Sequence, residues 1–428
     1  MDEITALAKR RGFIFPSSEI YGGINGAWDY GPVGVELKRN VRQAWWRDVV
    51  ELRDDVVGVD TAILMSPDVW KASGHLEHFY DMMVDCRTCK KRFRADQIAT
   101  DRCPSCGNQT LTPPRVFNMM FRTSIGAMED ASSAAYLRPE TAQGIFVDFK
   151  LVAQTARRKP PFGVAQIGKV FRNEITPGNF IFRSREFEQM ELEYFVPPQP
   201  ESEGLRWFSY WVGERYDWFI RLGVQPERVR RREYSGADLA HYSKATTDIE
   251  YDFPFGWGEL EGIAHRGSYD LEQHVAGSGK DLAFFDEESK EKYIPAVIEP
   301  SLGVDRALLV FLLDAYERED DRTVLHLHPR LAPYKCAVFP LVRNKPDIVA
   351  LAQSVERALR PHMRTVLDDS GNVGKRYYRQ DEIGTPFGVT VDYESLERQD
   401  VTVRDRDTKA QERVSIDRLR EYLSEKLA

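Results

Sequence analysis

Two short stretches constrain this chain more than any other: Phe171-Arg172-Asn173-Glu174 and, beginning nine residues after Glu174, Arg183-Ser184-Arg185-Glu186-Phe187. Pro177-Gly178-Asn179 between them is a turn signal. Gly163–Ile175 and Arg185–Val196 on either side carry the β-branched and aromatic content of strands. The spacing predicts two antiparallel strands joined by the loop Ile175–Phe182. Residues two apart share a strand face. Arg172 and Glu174 are therefore expected to point one way, as are Phe187, Gln189, Glu191 and Glu193. A guanidinium, an aromatic ring and a file of carboxylates on one face do not suit a hydrophobic core. The bland alternative is a solvated face of an antiparallel sheet. The specific one is a site gripping phosphates, a base and an ammonium group.

The 428 residues allow two or three domains, and 42% apolar content with eight tryptophans is ample for buried cores. The longest purely apolar run, Ala307–Leu313, is too short to span a bilayer. Met1-Asp2-Glu3 is acidic and opens no long apolar segment, so no signal peptide is expected, nor any membrane partner, and the setting is read as cytoplasmic. A net charge of −8 argues against a protein that coats nucleic acid through bulk charge.

Four of the five cysteines fall as Cys86-x2-Cys89 and Cys103-x2-Cys106. Two thiolate knuckles at this spacing give a closed tetrahedral Zn²⁺ site with no open position, hence a structural metal. Disulfides are disfavoured without a secretory signal, and a redox pair is the remaining alternative. Cys336 stands alone and reads as a buried strand residue.

Val33–Leu52 has the four-residue apolar spacing of an amphipathic helix, with Pro32 at its start. Trp207–Leu222 is read as a helix and Ile249–Tyr269 as a strand stretch containing Gly258-Glu259-Leu260-Glu261. Ala296–Ser301 is a short strand, and Gly303-Val304-Asp305-Arg306 opens the apolar helix Ala307–Tyr316. Gly303 lets a ligand approach the backbone, and a helix N-terminus beside an arginine favours phosphate. After a proline-containing join at 328–333, strands at Lys335–Leu341 and Gly388–Asp392 alternate with helices at Asp347–Met363 and Ser415–Leu427. That alternation predicts a separate α/β domain.

Phe-Arg-Asn-Glu at 171–174 and Gly-x-Asp-Arg at 303–306 resemble the second and third signature motifs of class II aminoacyl-tRNA synthetases, and Trp28-Asp29-Tyr30-Gly31-Pro32 resembles the first. Pro16-Ser17-Ser18-Glu19, Ser73-Gly74-His75, Arg138-Pro139-Glu140-Thr141-Ala142-Gln143-Gly144 and Glu299-Pro300-Ser301 are similar to the homodimeric glycyl-tRNA synthetases. The likeness covers nearly the whole chain. It implies an α+β fold: an antiparallel sheet flanked by helices as a catalytic domain over 1–330, a zinc-binding insertion at 85–112, and an α/β anticodon-binding domain over 331–428. It implies ATP-dependent activation of glycine to glycyl-adenylate, transfer to the 3′ end of a glycine-accepting tRNA, Mg²⁺ as cofactor, and a homodimer through motif one (Asp29–Trp46).

The same resemblance assigns roles. Arg172 would bind the α-phosphate and the attacking carboxylate, Glu174 the adenine amino group, and Phe187 and Arg306 the two faces of the adenine; Arg172, Glu174 and Arg306 form the catalytic set. Asn173, Phe182, Arg183, Arg185, Glu186, Leu260 and Gly303 complete the ATP set, with Glu259 holding Mg²⁺. Glycine presents only an ammonium, a carboxylate and two hydrogens, so its pocket needs carboxylates and little space. Glu140, Glu191, Glu299 and Ser301 supply acceptors, Gln143 or Gln189 orients them, and Arg94, Phe187, Arg266 and Gly303 join them. Arg343, Lys375, Arg376, Tyr377 and Arg379 are candidate anticodon contacts. The region between motifs two and three is short for the family. Two other classes compete: a class II synthetase for another amino acid, and a non-catalytic nucleic-acid-binding relative.

Overall fold

The computed structural model describes residues 1–127, 133–234 and 243–427. Its larger sheet takes strands β1 (Val56–Gly58), β2 (Phe162–Phe171), β3 (Glu186–Val196), β4 (Val229–Tyr234), β5 (Ala245–Phe253), β6 (Gly256–Gly267) and β7 (Ala296–Gly303). They lie side by side as β4-β5-β6-β7-β3-β2-β1, antiparallel except for β1 beside β2. The helices are α1 (Asp2–Arg11), α2 (Pro32–Trp46), α3 (Ala142–Thr155), α4 (Glu201–Arg221), α5 (Tyr269–Ser278), α6 (Val304–Ala315), α7 (Pro346–Leu359) and α8 (Val373–Ile383), with shorter helices between.

The predicted strand pair is β2 and β3, paired from Glu186 opposite Phe171 to Phe195 opposite Phe162. Period-two alternation gives the sheet two unlike faces. Met190, Leu192, Tyr194 and Val196 point to a core shared with Ile298 and Leu302 and with the apolar sides of α2, α4 and α6. The other face carries a row running across six strands: Gln166, Glu191, Ser301, Gly262, Asp248 and Arg232, each opposite the next. At one end this face turns apolar, where Phe162, Val164, Phe195 and Val297 meet Ile145, Phe146 and Phe149 of α3 and Leu271 of α5.

Helix α2 buries Leu37, Val41 and Trp45, as the four-residue spacing predicts, and a π-helical turn, Arg47–Glu51, carries it on. Ile249–Tyr269 is not one strand. It is divided among β5, β6 and the start of α5, and the two strands turn back at Pro254-Phe255 and Gly256, whose φ of +104° suits glycine. Helix α4 begins six residues earlier than predicted, after Pro200. Inside it, Arg215 donates to Glu261 of β6 at 2.7 Å with both side chains buried, a polar bolt through the core.

Cys336–Pro340, Thr365–Leu367, Phe387–Val391, Asp400–Asp405 and Gln411–Ser415 form a second sheet, parallel in its first three strands and antiparallel beyond. It has its own core around Val338, Val355, Val389 and Leu419. The predicted helix Ser415–Leu427 proves to be the end of a strand followed by a helix over Leu419–Leu427. Helix α8 was not predicted, because its inward side is polar: Arg376, Gln380 and Asp381 are buried in it. Asp381 accepts from Arg322 at 2.8 Å and Arg404 at 3.0 Å, tying this sheet to the chain before it. Among the described residues, no helix is long and apolar enough to cross a membrane.

Candidate active site

Strand β2 ends at Phe171, so Arg172 and Glu174 lie beyond it and not on a strand face. The expected strand geometry is corrected here, although both residues line one cleft. Arg172 donates from Nε to the Pro139 carbonyl at 3.1 Å and lies between the rings of Phe79 (5.5 Å) and Phe187 (5.4 Å). No described carboxylate lies within ion-pair distance of it, so its charge faces the cleft.

That cleft is open to solvent, and its empty space, mouth included, is about 710 Å³. Arg172, Glu174, Phe182, Arg183, Phe187, Glu259, Leu260, Ser301, Gly303 and Arg306 line it, all anticipated from sequence. Arg306, in the first turn of α6, donates to the carbonyls of Phe182 and Glu259 at 3.1 and 3.0 Å and lies 4.4 Å over the Phe182 ring. Its neighbour Asp305 was named only as part of a motif. It accepts from the Tyr30 hydroxyl and, at 3.0 Å, from the Glu188 amide, with the Lys38 ammonium 3.6 Å away, so the first and third motif stretches and strand β3 meet at one carboxylate. Burial, then the Asp305 charge, pushes the Tyr30 hydroxyl well above its ordinary pKa.

Four anticipated residues do other work. Arg185 gives its guanidinium to the carbonyls of Glu174 and Asn25, and Glu186 pairs with Lys169 at 2.6 Å at the surface. Asn173 is fixed through its amide to Met119, and neither it, Arg185 nor Glu186 lines the cleft. Arg94 bonds Asp96 at 2.8 Å and faces Asp81 at 3.3 Å, and touches none of the carboxylates assigned to glycine.

Beside the cleft, on the same sheet face, the other anticipated residues form a buried polar cage. Glu191 accepts from Ser301 Oγ at 2.7 Å, from the Thr141 amide at 2.9 Å and from the Thr141 hydroxyl. Arg266 donates to Glu299 at 2.8 Å and forks onto Asp270 at 2.7 and 2.8 Å. Gln143 donates to Glu140 at 3.0 Å and Asp270 at 3.1 Å, and its carbonyl bonds His274 at 2.8 Å. His75 lies 3.3 Å from Glu140 and is oriented by Ser73 at 2.8 Å.

Burial acts to raise the Glu140 pKa, but His75, Arg266 and Gln143 outweigh it and hold the group ionised well below its ordinary range. Burial, with the Glu140 charge, raises Glu191 against the bonds from Thr141 and Ser301. Glu299 is pushed up to about 8, by burial and then by Glu191 and Glu140, with Arg266 opposing. The cage is thus short of positive charge, which is what a site for an ammonium group requires. Asp270 and His274 were missed because their helix lies far along the chain from motif two and carries no motif of its own.

The four Sγ atoms of Cys86, Cys89, Cys103 and Cys106 lie within 4.8 Å of one another and can hold a metal ion. Both knuckles close alike, Lys90 N–H onto Cys86 and Gly107 N–H onto Cys103, each at 2.9 Å with positive φ at the donor. Their supporting sheet, Tyr80–Asp85 between Arg92–Arg94 and Arg115–Asn118, extends beyond the anticipated 85–112.

The family described as an anticodon binding domain matches residues 335–426. The chain is similar over its whole length to proteins named glycine–tRNA ligase: 52% identical to that of Streptomyces coelicolor, and 51% to those of Thermobifida fusca and Geobacillus thermodenitrificans, covering 98% of each.

Gly303 has ordinary backbone angles (φ −75°, ψ 122°), and a Cβ there would meet nothing nearer than Arg306 at 3.8 Å. A methyl group would therefore stand in the cleft without disturbing the fold. Gly303→Ala is expected to keep stability within about 0.5 kcal/mol while weakening ATP binding by about tenfold, or 1.4 kcal/mol, as read by calorimetric titration. Unchanged affinity would place the nucleotide away from Gly303.

Proposed function

The chain belongs to the glycine–tRNA ligase family, and we propose that it charges tRNA with glycine where the cleft and the carboxylate cage meet on the large sheet. The observation that carries this reading is the shared register. Glu191, Ser301 and Gly262 stand side by side, with the cage at one end of their row and the nucleotide cleft against it.

Arg172 lies between the two. It holds the glycine carboxylate against the α-phosphate and takes up the charge that grows as the carboxylate oxygen attacks and pyrophosphate leaves. Such a displacement asks the protein for position and fixed positive charge, not for a nucleophile. Glu174 accepts from the adenine amino group, Phe187 stacks on the base, and Arg306 covers its other side. Glu140, Glu191 and Glu299 receive the ammonium, with Ser301 and Arg266 fixing their directions. Gly303 leaves space for the adenylate. The 3′ hydroxyl of the tRNA then attacks the glycyl carbonyl and releases AMP. Glu259, in the cleft lining, is the residue suited to hold Mg²⁺, which would neutralise charge on the triphosphate.

Every natural competitor of glycine is larger, so a cage fitted to glycine excludes them sterically without an editing site. The gathering of Arg172, Glu174 and Arg306 in one cleft speaks against a non-catalytic relative. Residues 1–330 serve as the catalytic unit, and 331–428 read the anticodon, which suits a cytoplasmic place of action. Of the expected anticodon contacts, Arg343 and Lys375 are exposed. Arg376 is buried on backbone carbonyls, Tyr377 bonds Thr390 and Arg379 bonds Asp368, so these three support the domain instead.

Zinc suits the four thiols: tetrahedral Zn–S bonds of about 2.3 Å set sulfurs about 3.8 Å apart, and Cys86–Cys106 and Cys89–Cys103 stand at 3.6 Å. The metal would close the insertion structurally. A homodimer through motif one is supported by the exposed Ile20, Tyr21 and Ile24 just before it and by the groove of Arg39, Arg42 and Trp46. Trp45 is packed inside its own chain and contributes nothing to that surface.

Glycine-dependent ATP–pyrophosphate exchange tests the whole reading. Exchange with glycine but not alanine, serine, proline or threonine is expected, and Arg172→Ala is expected to lower it by roughly 10²–10³-fold. Exchange with another amino acid would overturn the cage, and none at all would favour the binding-only relative. Elemental analysis should find one zinc per chain, and chelation should lower the melting temperature; four freely titrating thiols in the folded protein, with Cys336 buried, would refute the metal. Sedimentation at micromolar concentration should give twice the chain mass, and a monomer would end the dimer reading.

A further inference from the structure

Beneath the cage lies a carboxyl group for which neither the fold nor the proposed reaction has a use. Glu193 is fully buried, and neither of its oxygens has a hydrogen-bond partner among the described residues. The register explains its surroundings. It stands opposite Val164 on β2, and the pairs Glu191–Ser301 and Tyr194–Ile298 on either side place it opposite Glu299 on β7, which in turn faces Ala264 on β6. Two carboxyl groups are thus side by side in one row, with a valine and an alanine at its ends. The next row is the apolar Phe162, Phe195 and Val297 under helix α3, and the row on the other side holds Gln166, Glu191 and Ser301. Glu193 occupies the seam where hydrophobic packing gives way to the cage.

The two members of the pair are not equivalent. Glu299 has the Arg266 guanidinium at 2.8 Å, whereas Glu193 has no cation in contact. The charged groups facing Glu193 are Glu299 from β7, Glu191 from its own strand, and Arg266 and Asp270 from the β6–α5 corner; three of the four are acids. Directly opposed residues bring their Cβ atoms within about 5.5 Å, and two ionised carboxylates that close in a dry site are strongly disfavoured. A fully buried carboxyl group also needs a partner for its polar atoms.

We propose that Glu193 is a positioning residue of the glycine site: a neutral carboxylic acid whose hydroxyl donates across the strand pair to Glu299. Glu299, itself pushed up to about 8, thereby takes the charge of the pair once the ammonium of glycine is beside it, and keeps its orientation, with one side toward Arg266 and the other free for that ammonium. Burial and the neighbouring Glu299 charge both push Glu193 well above the ordinary carboxylate range, in keeping with a retained proton. With glycine bound, the proton sits on the group without a cation, and the charge on the group that has one. This inference rests on the cage being the glycine site.

The test compares Glu193→Gln, Glu193→Met and Glu299→Gln in ATP–pyrophosphate exchange, with the KM for glycine and for ATP measured separately and melting temperature as the fold control. A neutral amide replaces a neutral acid, so Glu193→Gln is expected to keep the glycine KM within about twofold from pH 6 to 9. Glu193→Met fills similar space without a donor and should raise the glycine KM by about tenfold, the loss of one hydrogen bond to a charged group, with the ATP KM unchanged. Glu299→Gln removes the charge itself and should be worse than either. Equal damage from the two glutamine variants would mean that Glu193 is ionised and would overturn the proposal. So would a Glu193→Met enzyme with the native glycine KM. Should Glu193→Met not fold, the contrast between the two glutamine variants decides alone. A native enzyme that exchanges no glycine would instead remove the reading of the cage on which this rests.

Discussion

The pairing of β3 with its neighbours is the constraint on which the rest of the structure depends. Glu191 faces Gln166 on one side and Ser301 on the other, and side chains alternate strictly from there. A slip of one residue would turn Met190, Leu192 and Tyr194 into the cage and bury Gln189, Glu191 and Glu193 against α4 and α6. Fully buried apolar residues on one face and carboxylates on the other make that slip costly in both directions. The hydrophobic core therefore sets the registration of the polar site, although Met190, Leu192 and Tyr194 themselves point away from it.

Holding so many acids in a low-dielectric pocket has its own physical requirements. An uncompensated buried charge destabilises a protein severely, and the cage meets this with one continuous network. Ser73, His75, Glu140, Gln143, Asp270, Arg266 and Glu299 are linked in series, and Thr141 and Ser301 serve Glu191. Arg266 is fixed by a two-pronged bond to Asp270, so its remaining nitrogen has one direction in which to donate. Rigid donors of this kind lower the reorganisation needed when a small ligand binds. The nucleotide side works differently. Arg172 is held by aromatic faces and one carbonyl, so its orientation is set while its charge stays available.

Much of this is legible in the sequence. The two central strands, helix α2, the strand–helix junction at 303–306 and the paired cysteines carry strong local signals, and the structure has them within a few residues. Residues that local pattern misplaced share a cause. Arg172 and Glu174 read as strand because nothing in the sequence marks where pairing stops. The β5–β6 hairpin read as one strand because its turn is two residues long. Helix α8 was invisible because its inner side buries arginine and aspartate, and amphipathic periodicity detects only apolar stripes. Arg94, Arg185 and Arg376 were drawn toward ligands by their chemistry, but each is held by protein groups already.

The sequence by itself determined the chemistry: which residue types exist to meet phosphate, base, ammonium and metal, and the local segments that present them. These follow from motif spacing and periodicity, which act over a few residues. Tertiary structure alone decided which of those groups share a site. Asp270 and His274 enter the cage from a helix about eighty residues beyond β3, and Glu193 faces Glu299 across strands separated by a hundred residues. Such meetings depend on sheet order and register, which the packing of the whole chain selects by burying one face of every strand at once.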